Sequence, residues 1–343
     1  MRVLIYGAGA VGCYLGWHLA SGGHTVTLLG RRPIIDAIRR SGLLLHTRES
    51  SRHLDTLNAL SDPRVALAQE YDWIAFTMKS YATVAAIYEL QTYLPDPPPI
   101  VCFQNGVGNE ESLRSAFGAE RVVAATMTTP VSMPQPGIVV EEKLRGLAVA
   151  LDAPPARMVE AAFQSTELVV QRVDSTPVLK WSKLLLNLLG NATSAILDLL
   201  PGEVFKSPSL FRIEWDALKE AVAMMRLQGF EPINLPGAPA RLLARASDWI
   251  HPRFLRPLMQ MQVASGRGEK APSLLAALRA GAQQTEVAWL NGAVVQAADR
   301  LRRLAPVNHA LALIVSDIAA GRTPWDMYRH RPEMLLTAVR AAR

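Results

Sequence analysis

The opening residues constrain this chain most. MRVLIYGAGAVG sets a strand-like run at residues 2–6 directly before Gly7, Gly9 and Gly12, in G-x-G-x-x-G spacing. The segment that follows, CYLGWHLA, carries apolar residues at helical spacing, so the glycines stand where a strand turns into a helix. The first permits a tight turn, the second lets a ligand approach the backbone, and the third lets helix lie close to strand. Around Ala10 and Val11 the first helical amides have no partner within the helix, and the helix dipole adds partial positive charge. In a strand–turn–helix setting those groups suit the pyrophosphate of a dinucleotide.

Such a unit predicts repeats of itself, and the first half supplies them. Apolar, β-branched runs at 25–29, 72–78, 100–104 and 121–127 read as buried strands, with helical spacing over 10–21, 33–41, 80–91 and 109–117. That alternation predicts an α/β, Rossmann-type, doubly wound and mostly parallel sheet. Short strands are expected near 43–57. GIVVEE and RGLAVAL, within 137–151, read as an antiparallel hairpin closing the sheet, before a helix near 155–165 and the strand ELVVQRVD. After Asp174 the β-branched runs stop, and helical spacing continues over 176–199, 208–229, 239–250, 272–303 and 307–320. The expected organisation is therefore a dinucleotide-binding domain, 1–174, followed by an all-α substrate and catalytic domain, 175–343. GFEPINLPGAP and ASGRGEKAP read as loops between helices.

Composition excludes several classes. Half of the 343 residues are apolar and 19% are charged, as in a globular protein. No run of about 18 apolar residues occurs, so no membrane span is expected. The net charge is +6, but the basic residues are scattered without interleaved aromatics, which argues against nucleic acid and suits a small anionic ligand. Cys13 and Cys102 are far apart and the histidines stand singly, so neither a metal site nor a disulfide framework is expected, and the cytoplasm is the expected compartment.

The end of the second strand bears on the choice of dinucleotide. An acid there would accept from the ribose 2′-hydroxyl of NAD. TLLGRR instead places Gly30 at that point, followed by Arg31 and Arg32. A carboxylate repels a 2′-phosphate, whereas a guanidinium pairs with it through two hydrogen bonds. NADP(H) is the expected cofactor, with Arg31 at its 2′-phosphate. Lys79 and Asn105 follow the strands 72–78 and 100–104, at the carboxyl ends where such sheets bind ligands. Asn105 is a candidate for the cofactor cleft, although Asn-Gly is also a common turn.

KWSKLLLNLLGN raises a different question. Lys183, Asn187 and Asn191 recur every fourth residue, so a helix would carry them on one face among leucines. Burying an unpaired amide costs about 1–3 kcal/mol, and an unpaired ammonium costs more. Either an inter-helix polar contact or a polar ligand would satisfy the stripe. A lysine among leucines has its charged form disfavoured, which helps it surrender a proton.

Taken together, GAGAVG, Lys79 after FTM, NGVGNEE, KWSKLLLNLLGN and the late TEVAWLNG resemble the ketopantoate reductase (2-dehydropantoate 2-reductase) family. The most specific element is W-x-K-L-x-x-N-x-x-x-N, at Trp181, Lys183, Leu184, Asn187 and Asn191. The resemblance implies reduction of ketopantoate to pantoate by NADPH, in pantothenate synthesis. It implies that Lys183 is the general acid, and that Asn187 and Asn191 hold the substrate's polar groups. Lys79 and Asn105 would lie near the nicotinamide ribose and the substrate. Ser273 would receive the substrate carboxylate, and Glu286 would hydrogen-bond the substrate hydroxyl. The resemblance also implies an aspartate where SLLAA has Ala277. That departure keeps open a related NADP-dependent reductase of another 2-keto or hydroxy acid. A third reading is a non-catalytic NADP(H)-binding sensor, which would have no need of a proton donor. The apolar faces of the late helices are compatible with packing inside one chain or in a homodimer.

Overall fold

A computed structural model of the chain describes residues 1–266 and 271–343, so the loop expected at 264–272 falls partly outside the described residues. The chain divides into two compact units, Met1–Lys180 with Leu235–Ala238, and Trp181–Asn234 with Pro239–Arg343.

The first unit is built on strands β1 (Arg2–Tyr6), β2 (Thr25–Leu29), β3 (Leu43–His46), β4 (Ser51–Leu54), β5 (Asn58–Leu60), β6 (Trp73–Phe76), β7 (Ile100–Cys102), β8 (Val122–Met127), β9 (Val131–Gln135), β10 (Ile138–Glu141), β11 (Leu147–Ala150) and β12 (Val170–Val173). Its helices are α1 (Ala10–Ser21), α2 (Arg32–Ser41), α3 (Pro63–Leu67), α4 (Thr83–Tyr93), α5 (Asn109–Phe117) and α6 (Ala156–Gln164). The large sheet has the order β12-β11-β8-β7-β6-β1-β2-β5. Its stretch from β8 to β5 is parallel throughout, and the order reverses at β1, between β2 and β6.

Alternation along each strand builds two cores. Val3 and Ile5 of β1 and Trp73 and Ala75 of β6 enter one core with α1 and α6. Leu4, Tyr6, Ile74 and Phe76 enter the other, against residues of α3, α4 and α5. Strands buried on both faces are apolar at nearly every position, with buried threonines such as Thr27 and Thr126 the exceptions, which is why they read as near-continuous runs. Burial of each such side chain is worth about 1.5–3 kcal/mol.

The expected hairpin across 137–151 does not form. β11 joins the large sheet antiparallel to β8, while β10 joins a second sheet of order β4-β3-β10-β9, beside β3 and β9. Leu43, Leu45 and Val139 turn this small sheet toward α1 and share its core. β9 was not among the expected strands because it contains Pro134, which a strand accepts at a sheet edge, and β9 is an edge.

Helix α7 (Thr176–Leu188) crosses the boundary between the units. The second unit contains α8 (Ala192–Leu197), α9 (Pro201–Lys206), α10 (Pro208–Leu227), α11 (Ala240–Trp249), α12 (Pro252–Gly266), α13 (Ser273–Arg279), α14 (Asn291–Arg300), α15 (Pro306–Ala319) and α16 (Pro332–Ala342). The helix expected over 176–199 is broken between α7 and α8, where Gly190 takes a left-handed φ of 61°. The helix expected over 272–303 is likewise divided. Gly281 at φ 70° follows α13, and a 3-10 turn, Glu286–Trp289, capped by Thr285, precedes α14. Helices α9, α12 and α16 were not expected, and each opens on proline. Proline breaks a helix interior but suits the first turn, where its missing N–H would have no partner.

Candidate functional site

In the first unit the turn after β1 gives each glycine a separate role. Gly7 has φ 120°, and a Cβ there would lie 2.4 Å from the Met78 amide nitrogen. At Gly12 a Cβ would fall 2.2 Å from the Gly7 carbonyl oxygen. Thr77 Oγ1 donates to that same oxygen at 2.8 Å, so the turn is clamped to the end of β6. Gly9 differs, because a Cβ there would meet nothing within 4 Å. Packing within the unit therefore requires glycine at 7 and 12, and only an approaching ligand gives a reason for it at 9. Gly9 is the N-cap of α1 and no side chain caps it, leaving the amides at Ala10 and Val11 to face outward partners. These residues fit a pyrophosphate.

At the end of β2, Gly30 is packed so that a Cβ would lie 2.6 Å from that of Ala8. No aspartate could stand there without moving the glycine turn. Arg31 is exposed at the N-cap of α2 and forms no ion pair among the described residues. Arg32 contributes to holding the Asp62 carboxyl below its usual range, after the larger effect of Arg64.

The loops that carry Lys79 and Asn105 share one hydrogen-bond network. Lys79 is exposed and precedes a 3-10 turn, Ser80–Ala82. Ser80 Oγ donates to the Asn105 carbonyl at 2.9 Å, and Asn109 Nδ2 donates to it at 3.0 Å. Gln104 Nε2 donates to the Met78 carbonyl at 3.1 Å and to Thr83 Oγ1 at 2.8 Å. The loops after β6 and β7 are therefore one hydrogen-bonded assembly, with the Asn105 side chain half-buried at its edge.

Beneath this assembly lies a pair the sequence reading missed. Lys180 and Glu110 are 3% and 1% exposed, and their charged atoms are 2.8 Å apart. Lys180 Nζ also donates to the carbonyls of Gln104 at 2.6 Å, Ala125 at 3.1 Å and Cys102 at 3.4 Å. Burial alone pushes the lysine's pKa down, but attraction to Glu110 with its hydrogen bond outweighs it, and the ammonium is held charged. A signal was available: Thr176, Lys180 and Leu184 fall every fourth residue on α7, and all three are buried.

In the second unit, Lys183 and Asn187 are half-buried on α7, among the buried Leu184, Leu185 and Leu188. Asn191 is not on that helix. It is the N-cap residue of α8, with its Nδ2 donating to the Asn187 carbonyl at 3.1 Å and lying 3.5 Å from Ser273 Oγ. Its Oδ1 accepts from the Leu274 amide at 3.1 Å. Asn191 and Ser273, far apart in sequence, thus meet at the start of α13. Ser273 is exposed, and Ala277, one turn further along, is half-buried. Glu286 is 5% exposed and opens the 3-10 turn before α14. Asn291, just after it, donates to Asn308 Oδ1 at 3.0 Å. Among the described residues no group of three or more His, Cys, Asp or Glu side chains could hold a metal ion, and no helix is long and apolar enough to cross a membrane.

A parallel sheet whose order reverses at β1, with a glycine turn leading into α1, defines a Rossmann-type dinucleotide-binding protein, here followed by a helical unit. The chain belongs to the ketopantoate reductase PanE/ApbA family: the model of that description matches residues 3–150, and the family's C-terminal model matches 178–319. It is 28% identical over 320 residues to 2-dehydropantoate 2-reductase of Pyrococcus horikoshii, covering 92% of this chain and 96% of that one. It is 28% identical over 321 residues to the enzyme of the same name from Halobacterium salinarum, covering 92% and 98%. The crystal structure of a PanE/ApbA family ketopantoate reductase from Ralstonia eutropha JMP134 superposes with a TM-score of 0.78 at 28% identity, covering 94% of this chain and 99% of that one. A ternary structure of D-mandelate dehydrogenase with NADH and anilino(oxo)acetate shares the fold, with a TM-score of 0.77 at 16% identity, covering 94% and 99%. The protein is accordingly an oxidoreductase acting on a CH–OH group.

Proposed function

We propose that the chain reduces 2-dehydropantoate to pantoate with NADPH, in the cytoplasm, as a step toward pantothenate and coenzyme A. The observation that carries this reading is the polar set of the helical unit: Lys183 and Asn187 on α7, with Asn191 bonded across to the start of α13 at Ser273. When bound, NADPH supplies the hydride for the C2 ketone carbon. Lys183 Nζ donates the proton that the resulting alkoxide needs. Asn187 and Asn191 hold the keto acid's polar groups, Ser273 takes its carboxylate, and Glu286 accepts from the hydroxyl. The Gly7–Gly9–Gly12 turn, with the amides of Ala10 and Val11, holds the pyrophosphate, while Lys79 and Asn105 line the nicotinamide ribose. Arg31 pairs with the 2′-phosphate. The steric exclusion of any acid at Gly30 supports NADP(H) over NAD(H).

One observation favours a second reading within the family. Ala277 supplies no polar group one turn after Ser273, which suits the carboxylate end of the site to a different 2-keto or hydroxy acid. Oxidation of NADPH, followed by absorbance with ketopantoate and a panel of 2-keto acids, separates the readings. Turnover with ketopantoate above the rest of the panel is expected. Preference for another acid would favour the second reading, and no turnover with any acid would sink both. A homodimer is part of the proposal, to be checked by sedimentation.

A further inference from the structure

We infer that Lys180 and Glu110 are positioning residues for the Asn105 loop, acting on the reaction through the backbone that presents Asn105. The inference rests on the proposed role of Asn105 at the cofactor and substrate. Lys180 Nζ reaches three carbonyls, of Cys102, Gln104 and Ala125, at the point where β7 leaves β8. The shortest of these contacts, 2.6 Å, is to Gln104, the residue directly before Asn105. Glu110, in the first turn of α5, neutralises the ammonium from the far side of the loop. One buried cation thus ties down both ends of residues 103–109. Between those ends the loop turns through Gly106 and Gly108, at φ 88° and 109°, conformations open to many alternatives without an anchor. Ser80 and Asn109 fix the Asn105 carbonyl but not the carbonyl before it.

A buried ion pair is a poor device for stability alone, because desolvation offsets most of its attraction and an apolar pair of similar volume does as well or better. Its distinctive property here is geometric. A lysine ammonium has three N–H donors, here shared among three carbonyls and a carboxylate, and no apolar pair could hold those oxygens at one point.

The test uses the full chain and the double variant Lys180→Met/Glu110→Gln, which leaves no buried charge behind, whereas either single change would. Hydrogen exchange of the segment 103–112 is expected to quicken about tenfold to a hundredfold, the worth of one lost charged hydrogen bond, while β1 and α1 exchange as before. Asn105→Ala should lower kcat/KM for the keto acid in the wild-type background and change it little in the double variant, since the double change already displaces Asn105. Unchanged exchange at 103–112, full additivity with Asn105→Ala, or a double variant that does not fold would each overturn the assignment. Should the wild-type chain reduce no keto acid, the proposed function fails by that result, and the exchange measurement decides the role of the pair by itself.

Discussion

Lys183 and Arg31 are the residues on which the proposed chemistry is most exposed to test. Lys183 is half-buried on a helix whose neighbouring leucines are buried, so it has a restricted set of directions in which to offer a proton. Replacing it with alanine should lower turnover about 10²–10⁴-fold, the usual worth of general acid catalysis, while NADPH binding followed by fluorescence is retained. Near-normal turnover would remove Lys183 from the mechanism. Arg31 stands exposed just after β2, without an ion pair among the described residues, where Gly30 cannot be exchanged for an acid. Arg31→Ala should weaken NADPH binding about tenfold or more, as loss of a charge-assisted pair does, and barely alter NADH binding. Equal losses for both cofactors would mean that Arg31 does not meet the 2′-phosphate. Both residues were legible in the sequence, because each breaks a local pattern: an ammonium within a leucine run, and arginines where an acid is expected. Lys180 broke a pattern too, as a cation on the buried face of the same helix, but its explanation lies in Glu110 and in carbonyls far away in sequence. Only the fold brings them together.

At the scale of elements, the strands of the parallel sheet were legible because burial on both faces favours a near-continuous apolar run. The helix boundaries were less so. The leucine-rich helix looked continuous because leucine suits a helix anywhere, and Gly190 is tolerated in many; its left-handed φ is what turns the chain between α7 and α8. The break frees Asn191 to act as a strap. At one end of α8 it bonds to Leu274 and approaches Ser273, at the start of α13. At the other end Asp198 takes Arg279, the last residue of α13, at 2.7 Å. The two short helices are therefore laced at both ends and run the same way. Asn191→Ala should cost about 1–3 kcal/mol in urea unfolding, since the buried Leu274 amide is left without its acceptor. It should also raise KM for the keto acid more than for NADPH, because the strap sets the position of Ser273. A variant that weakens both substrates alike would argue that Asn191 serves only the fold.

For the molecule as a whole, one contribution to the response to acid comes from a histidine of the first unit that serves no proposed step. His18 is 2% exposed on α1, edge-on to Tyr14 and Trp17 at 4.5 and 5.1 Å, and its Nε2 makes no hydrogen bond among the described residues. Burial lowers its pKa to about 4; Glu167 acts in the opposite direction, and Arg52 adds to the lowering. Arg52 lies over the Trp17 ring and forms two hydrogen bonds to Glu167, and Tyr14 bonds to Glu141, so the charged groups around His18 come from β4, β10 and the segment before β12. Because the folded state holds His18 neutral and the unfolded chain titrates near the ordinary value, its contribution is fully present above about pH 6.5 and declines as pH falls toward 4. That lowering corresponds to about 3 kcal/mol once both states are protonated. Between pH 7 and 4.5 the wild-type chain should therefore lose about 2–3 kcal/mol more than His18→Leu, which has nothing to protonate at that position. Urea unfolding of the two chains across that range provides the measurement. Parallel pH profiles would mean that water or a shifted ring already solvates His18, and that acid acts instead through carboxylates such as Glu167, which Arg52 holds below the usual range.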